Sequence, residues 1–374
     1  MEDQTRWNRE RVERKFENLG NFILNLRYSS LAILLMTISV LKSGIRGIQP
    51  WADFSVVERF PTLSTGYSQT SIGLLAFSKA LNIDSKVEFF IWSLVLLLTF
   101  TFLLARFVRC QLSNFESRLY LIIIFFSPLY VVLLGNIGRH DILTLSGLIL
   151  MVFADTKIKF SLGLILALFG SPEHTIATLI LLFCLSLIFK LPVEMKKYAL
   201  GVGIGSLYLL GLLALIDNGT NQISNRFNSV LFDESIQKDA LSNFLRHAPL
   251  ELFSYFGILF FAIVPFILGL GRIQRNGIIA ILLVPAIVNV LILDKTRDYV
   301  IAIFPVLFSI FKICEIRSQI ESLLERKSVS KPVVLGFTFI ACLIVPSIEL
   351  TFEGTVRAPY EWILSKAGIL NILK

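Results

Sequence analysis

Charge is what this sequence has least of. Asp, Glu, Lys and Arg make up only 17% of its 374 residues, against roughly 25% in a soluble globular protein. That is too little charge to cover a water-facing surface, and the mean hydropathy is +0.74. Cysteine is scarce as well: Cys110, Cys184, Cys314 and Cys342. No two of them stand at C-x-x-C spacing, which excludes a disulfide framework and leaves no basis for a structural zinc or dithiol redox site. The chain lacks internal repeats and low-complexity linkers. No apolar run directly follows the first residues, so a cleavable signal peptide is not expected.

Apolar residues are what the chain has instead. They make up 55% of it, with 32 Phe, and they come in blocks such as Phe89–Leu104, Leu119–Leu134 and Ile278–Leu293. Such blocks read as membrane spans. The expected fold is therefore all-α and polytopic. About eleven transmembrane helices are expected at 22–42, 87–108, 119–135, 141–154, 159–171, 174–190, 197–216, 251–270, 277–293, 299–311 and 333–350. Residues 1–21 read as a cytoplasmic interfacial helix, because Trp7, Val12, Phe16 and Leu19 recur at helical spacing among basic residues. Residues 22–311 form the expected transmembrane core. Residues 312–374 supply a cytoplasmic linker, the last transmembrane helix and an outer interfacial segment containing Tyr360 and Trp362.

The 35 basic residues exceed the 27 acidic ones, but no basic run is interleaved with exposed aromatics, so no nucleic-acid partner is expected. The bases orient the chain instead. With the N-terminus in the cytoplasm, twenty of the 35 fall in inside segments totalling roughly 70 residues, and fourteen in outside segments of roughly 115. The chain is thus expected in the cell membrane, contacting anionic lipid, with long extracytoplasmic segments at 43–86, 217–250 and 351–374.

In that topology the chemically capable residues gather on the extracytoplasmic side. Asp53 and Glu58 lie in the long first outer loop, and Arg139, His140 and Asp141 in a tight turn. Glu173 and His174 lie in a second turn, and Asp294, Lys295, Arg297 and Asp298 in a third. Ionisable groups at membrane depth are costly and mark function. Structural roles compete at several positions. Asp141 and Asp298 suit helix N-caps. Ser171-Pro172-Glu173 is a helix-start pattern, and Arg297 could anchor a head group. The functional reading joins them: Arg139 beside a helix N-terminus suits a phosphate, and a nearby carboxylate can take a proton from a sugar hydroxyl.

These features resemble the GT-C class of membrane glycosyltransferases, which use polyprenyl-phosphate sugars. The likeness rests on the first outer loop with Asp53, on the stretch Gly66-Tyr67-Ser68-Gln69-Thr70-Ser71-Ile72-Gly73, and on Ser127-Pro128. It rests further on Gly135-Asn136-Ile137-Gly138-Arg139-His140-Asp141 opening a Leu-rich helix, and on Arg297-Asp298-Tyr299 before Phe304-Pro305. The resemblance implies Asp53 as base, with Glu58 and Asp141 as the other candidate acids. It implies Arg139 and Arg297 as lipid-phosphate contacts, and a polyprenyl-linked sugar donor with a glycan or lipid acceptor. His140, Glu173 and His174 would line the acceptor site. The chain also resembles polysaccharide polymerases of the EpsG/Wzy kind, through Arg139 and His174 at the starts of short spans. A transporter or lipid flippase is the further alternative, although the two halves show no correspondence. Asp53, Asp141 and His174 could offer a divalent metal oxygen and nitrogen ligands, but no ligand spacing supports one, so no cofactor is expected.

Overall fold

The computed structural model describes residues 2–45, 73–83, 85–215, 242, 248–257, 259, 267, 270–290, 295–312, 330–345, 348–350 and 356–357. Asp53, Glu58, Asp294 and the tail segment with Tyr360 and Trp362 lie outside them. The described residues are helical apart from one antiparallel pairing of two-residue strands, β1 (Glu349–Leu350) and β2 (Val356–Arg357). Among the described residues ten helices come first: α1 (Glu2–Asn25), α2 (Tyr28–Ser43), α3 (Gly73–Ala80), α4 (Lys86–Gln111), α5 (Asn114–Phe125), α6 (Pro128–Gly135), α7 (Asp141–Val152), α8 (Lys157–Gly170), α9 (Pro172–Ile188) and α10 (Pro192–Leu215). Then follow α11 (Arg272–Val290), α12 (Lys295–Lys312) and α13 (Lys331–Ile344).

Two of these helices, α4 and α10, are long and apolar enough to cross a membrane, and the number rises to four if each of two bent pairs is one span. Their outer faces fit that role. Val87, Ile91, Val95, Leu98 and Phe102 of α4 are exposed in a helical stripe, while Phe89, Leu97, Phe100 and Leu104 are buried. Leu200, Ile204, Leu207 and Leu210 form a like stripe on α10. Apolar faces of that extent suit lipid rather than water.

The sequence-expected spans are modified at three places. The interfacial helix expected at 1–21 runs on to Asn25, and the chain then turns by 120° into α2. The reason is Arg118, whose Nη2 donates to Leu26 O at 2.7 Å and whose Nη1 donates to Ile23 O. The guanidinium takes the carbonyls that a continuing helix would use. The expected span 119–135 is broken by a 48° bend between α5 and α6, where Pro128 opens the second helix and cannot continue the first. The last expected span, 333–350, ends as helix at Ile344. Lys42 of α2 donates there to Val345 O at 2.6 Å and to Cys342 O, and β1 follows.

Small residues set the spacing that matters most. A Cβ on Gly147 of α7 would press on Gly163 O and the Ala167 backbone of α8, and lie 2.7 Å from Ala167 Cβ. A Cβ on Gly170 would meet Thr144 N at 2.5 Å. The α7–α8 hairpin is therefore nearly backbone against backbone, as in small-residue packing of membrane helices. Only Ser171 separates α8 from α9, so the start of α9 is held against the start of α7. Helix α12 packs against both. It runs the same way as α7: Arg297 near its start meets Asp141, and Lys312 at its end donates to Val152 O at 3.0 Å.

Gly147→Ala should lower stability by about 1–3 kcal/mol, because two backbones must separate. Gly203→Ala is the control, since Gly203 of α10 has open space around its Cβ position; there the melting temperature should hold or rise. Equal melting temperatures for the two variants would remove the seam from the account.

Candidate functional site

The N-termini of α7, α9 and α12 meet, and each brings polar side chains to the junction. The turn before α7 is Asn136-Ile137-Gly138-Arg139-His140. Gly138 takes a φ of +96° there, a conformation glycine adopts at no steric cost. Asn136 Nδ2 donates to Val132 O at 2.9 Å and to Glu349 Oε1 at 3.0 Å, which ties the turn to β1. Arg139 N–H donates to Asn136 O at 3.1 Å. His140 and Asp141 then point into the junction.

The central contact is a fork. Arg297 Nε donates to Asp141 Oδ2 at 2.6 Å, and Arg297 Nη2 donates to Asp141 Oδ1 at 2.7 Å. The side chains are 9% and 3% exposed. Two parallel charge-assisted bonds of this kind are strong and directional. Asp141 suits an N-cap by sequence, but His140 holds the N-cap position and Asp141 is the first residue of α7. Arg297 is not a head-group anchor: it is buried, and three of its nitrogens face carboxylates, with Nη1 lying 3.8 Å from Asp298 Oδ1.

Arg297 Nη2 also lies 3.3 Å from His140 Nε2. A guanidinium only donates, so that nitrogen must carry no proton. Burial pushes the His140 imidazole down to about 3, against the pull of Asp141 and with the help of Arg297. His140 is therefore a neutral acceptor at ordinary pH.

The second branch runs through His174. Its Nε2 lies 3.1 Å from Asp298 Oδ1, and its Nδ1 lies 2.8 Å from Ser171 Oγ. Asp298 suits a cap for α12 by sequence. It sits instead in the first turn, with its carboxylate on His174. Burial alone would raise the Asp298 carboxyl; the hydrogen bond from His174 and the charge of Arg297 outweigh this and hold it below the usual range. Ser171 does cap α9, accepting from His174 N–H at 3.5 Å, and its hydroxyl also lies 3.4 Å from Glu173 Oε2.

Of the residues singled out from sequence, His140, Asp141, Glu173, His174 and Arg297 thus come together, with Arg139 in the adjoining turn. Asp298, singled out from sequence in the same turn as Arg297, joins them, and so does Ser171, for which the sequence suggested only capping. Their added role has no local signature, because it arises between turns 124 residues apart. A further buried acid, Glu251, accepts from Tyr255 OH at 2.7 Å. Ser254 Oγ lies 2.8 Å from Thr296 Oγ1, so the segment 248–256 is fastened to the start of α12. Among the described residues, no group of three or more His, Cys, Asp or Glu side chains is placed to hold a metal ion.

Asp141→Asn should leave the buried guanidinium without its counter-charge and cost about 3–5 kcal/mol. In a double-mutant cycle with Arg297→Met, the paired variant should lose much less than the sum of the singles. Additive losses in thermal melts would mean that the fork contributes nothing as a pair. The pH dependence follows from His140. The folded chain holds it neutral where an unfolded chain protonates it near 6.5, so its contribution is complete above that pH. It is lost as the pH falls toward about 3. His140→Asn should flatten this acid limb, and an unchanged limb would refute the assignment.

Comparison of the chain with protein-family models, with curated proteins and with solved structures finds no match, so the chemistry of the junction is read from its own residues.

Proposed function

We propose that the protein is a membrane glycosyltransferase of the GT-C kind, with about eleven crossings and its N-terminus in the cytoplasm. It would move a sugar from a polyprenyl-phosphate carrier to a glycan or lipid acceptor outside the cytoplasmic membrane. The observation that carries this reading is the junction itself. Three helix N-termini, two carboxylates of the Asp141–Arg297–Asp298 chain and two imidazoles meet at one end of an apolar bundle. Helix N-termini favour anions, which suits a carrier phosphate reached from the lipid.

The chemistry is a displacement. The acceptor oxygen attacks the anomeric carbon, the bond from that carbon to the phosphate oxygen breaks, and the lipid phosphate leaves with the bonding pair. Arg139, in the turn before α7, would meet the leaving phosphate, as the likeness to the GT-C class implies. Arg297 donates two hydrogen bonds to Asp141 and lies beside Asp298, so its part is to hold the two helix starts in register. Asp141 is buried with both oxygens accepting from Arg297, which favours a holding role for it over that of base. The likeness to the GT-C class assigns the acceptor's proton to Asp53, with Glu58 beside it in the loop.

Purified full-length protein in lipid nanodiscs should release polyprenyl phosphate from radiolabelled polyprenyl-phosphate hexoses when an acceptor glycan is present. Arg139→Ala should weaken carrier binding and lower turnover by about 10²-fold, with Arg139→Lys restoring only part, because lysine lacks the planar fork. No release from any carrier in a panel of sugars would overturn the proposal. A ladder of products from oligosaccharide pyrophosphate carriers would assign the chain to the polymerases instead. Movement of carrier between leaflets without bond cleavage would assign it to the flippases.

A further inference from the structure

One row of contacts joins side chains for which the displacement has so far no use. Glu173 Oε2, Ser171 Oγ, His174 and Asp298 follow one another at 3.4, 2.8 and 3.1 Å. A hydroxyl has one proton to give and two lone pairs to accept with. One lone pair of Ser171 is taken by the His174 N–H that caps α9. Its proton has two candidate acceptors, and His174 Nδ1 is the nearer. An accepting Nδ1 means that a neutral ring carries its proton on Nε2, where the Asp298 carboxylate receives it. Asp298 therefore selects the tautomer, as a partner on one ring nitrogen does for the other.

The charged and titratable neighbours of His174 come from three elements. Glu173 lies on α9, Asp298 and Arg297 on α12, and Asp141, His140 and Arg139 at the start of α7. Among them Asp298 is in direct contact, whereas the Arg297 fork is turned onto Asp141. A contacting opposite charge favours the protonated ring over more distant groups. His140 is the contrast: it faces a guanidinium donor at 3.3 Å, and its nearest Asp141 oxygen is 3.6 Å away. Of two imidazoles in one junction, one is built to stay neutral and the other to receive a proton.

We infer that His174 is the proton acceptor of this site, reached from Glu173 through the Ser171 hydroxyl, and that Asp298 is its positioning residue. The acceptor substrate's O–H bond breaks and its proton goes to the Glu173 carboxylate. Ser171 Oγ takes up that proton while passing its own to His174 Nδ1. The product is an imidazolium paired with the Asp298 carboxylate, and the freed oxygen lone pair makes the new glycosidic bond. The source of the proton rests on the transferase reading; the state of His174 does not. This assigns the proton to His174 in place of Asp53, which the likeness to the GT-C class implies as base.

The alternative is that Ser171 only caps α9 and that His174 and Asp298 only clamp two helices. Substitutions at Ser171 separate the two. Threonine keeps both cap and hydroxyl. Asparagine also caps, but its amide cannot hand a proton on. In the release assay Ser171→Thr should keep turnover within about threefold, and Ser171→Asn should lose about 10²-fold, the lower range for acid–base catalysis, at an unchanged melting temperature. Full turnover in Ser171→Asn would reduce Ser171 to a cap and overturn the relay. Independently of activity, ¹⁵N-histidine spectra of the full chain in nanodiscs follow only three rings, His140, His174 and His247, assigned by single His→Asn variants. His174 should titrate, and Asp298→Asn should lower its midpoint by about one unit or more. A midpoint unmoved by Asp298→Asn would overturn the positioning role. If wild type transfers no sugar yet the midpoint moves, the transferase reading falls and the His174–Asp298 assignment stands.

Discussion

The Asp141–Arg297 fork is the contact on which the polar junction depends. Its two charges sit among apolar helices, where an ion without a partner costs several kcal/mol. Neither side chain can therefore leave the other, and the starts of α7 and α12 are bound together by electrostatics rather than by shape. Asp141 gains further from its place in the first turn of α7, where the helix dipole favours an anion. The opposite ends of the same helices are joined by Lys312 on Val152 O. With both ends fastened, α12 presents its first turn to α9 at a set height, and Asp298 meets His174.

That arrangement needs the close approach of α7 and α8. Gly147, Gly163, Ala167 and Gly170 remove the side chains that would keep the helices apart. Because Ser171 alone separates α8 from α9, the spacing of the hairpin also sets the distance from Asp141 to His174. Packing of small residues and pairing of large charged ones are thus two parts of one construction: the first brings backbones near, and the second makes their ends polar without stranding a charge.

The two imidazoles show how neighbours in one junction divide proton chemistry. His140 faces the donors of Arg297 and is held neutral by burial. His174 faces a carboxylate on one side and a hydroxyl on the other. Sequence position does not distinguish them, since both stand at the start of a short apolar helix. The distinction comes from which residue of the Arg297-Asp298 dipeptide each one meets.

Helical, membrane-type character was legible in the sequence, because scarce charge and long apolar blocks leave no other solvent for such a chain. So was the gathering of His140, Asp141, Glu173, His174 and Arg297, since charged turns between apolar helices collect at bundle ends. The helix start at Ser171-Pro172 was legible too, because capping is a local matter of backbone donors. The break between α1 and α2 was not, as it is caused by Arg118, more than ninety residues away from the carbonyls it takes. Nor were the partners within the junction. Asp141 and Asp298 both suit N-caps by local rules, and only the packing of α12 against α7 and α9 gives one to Arg297 and the other to His174. Hydropathy and capping act over a few residues and can be read along the chain, whereas a buried charge takes its partner from whatever the tertiary fold brings within reach.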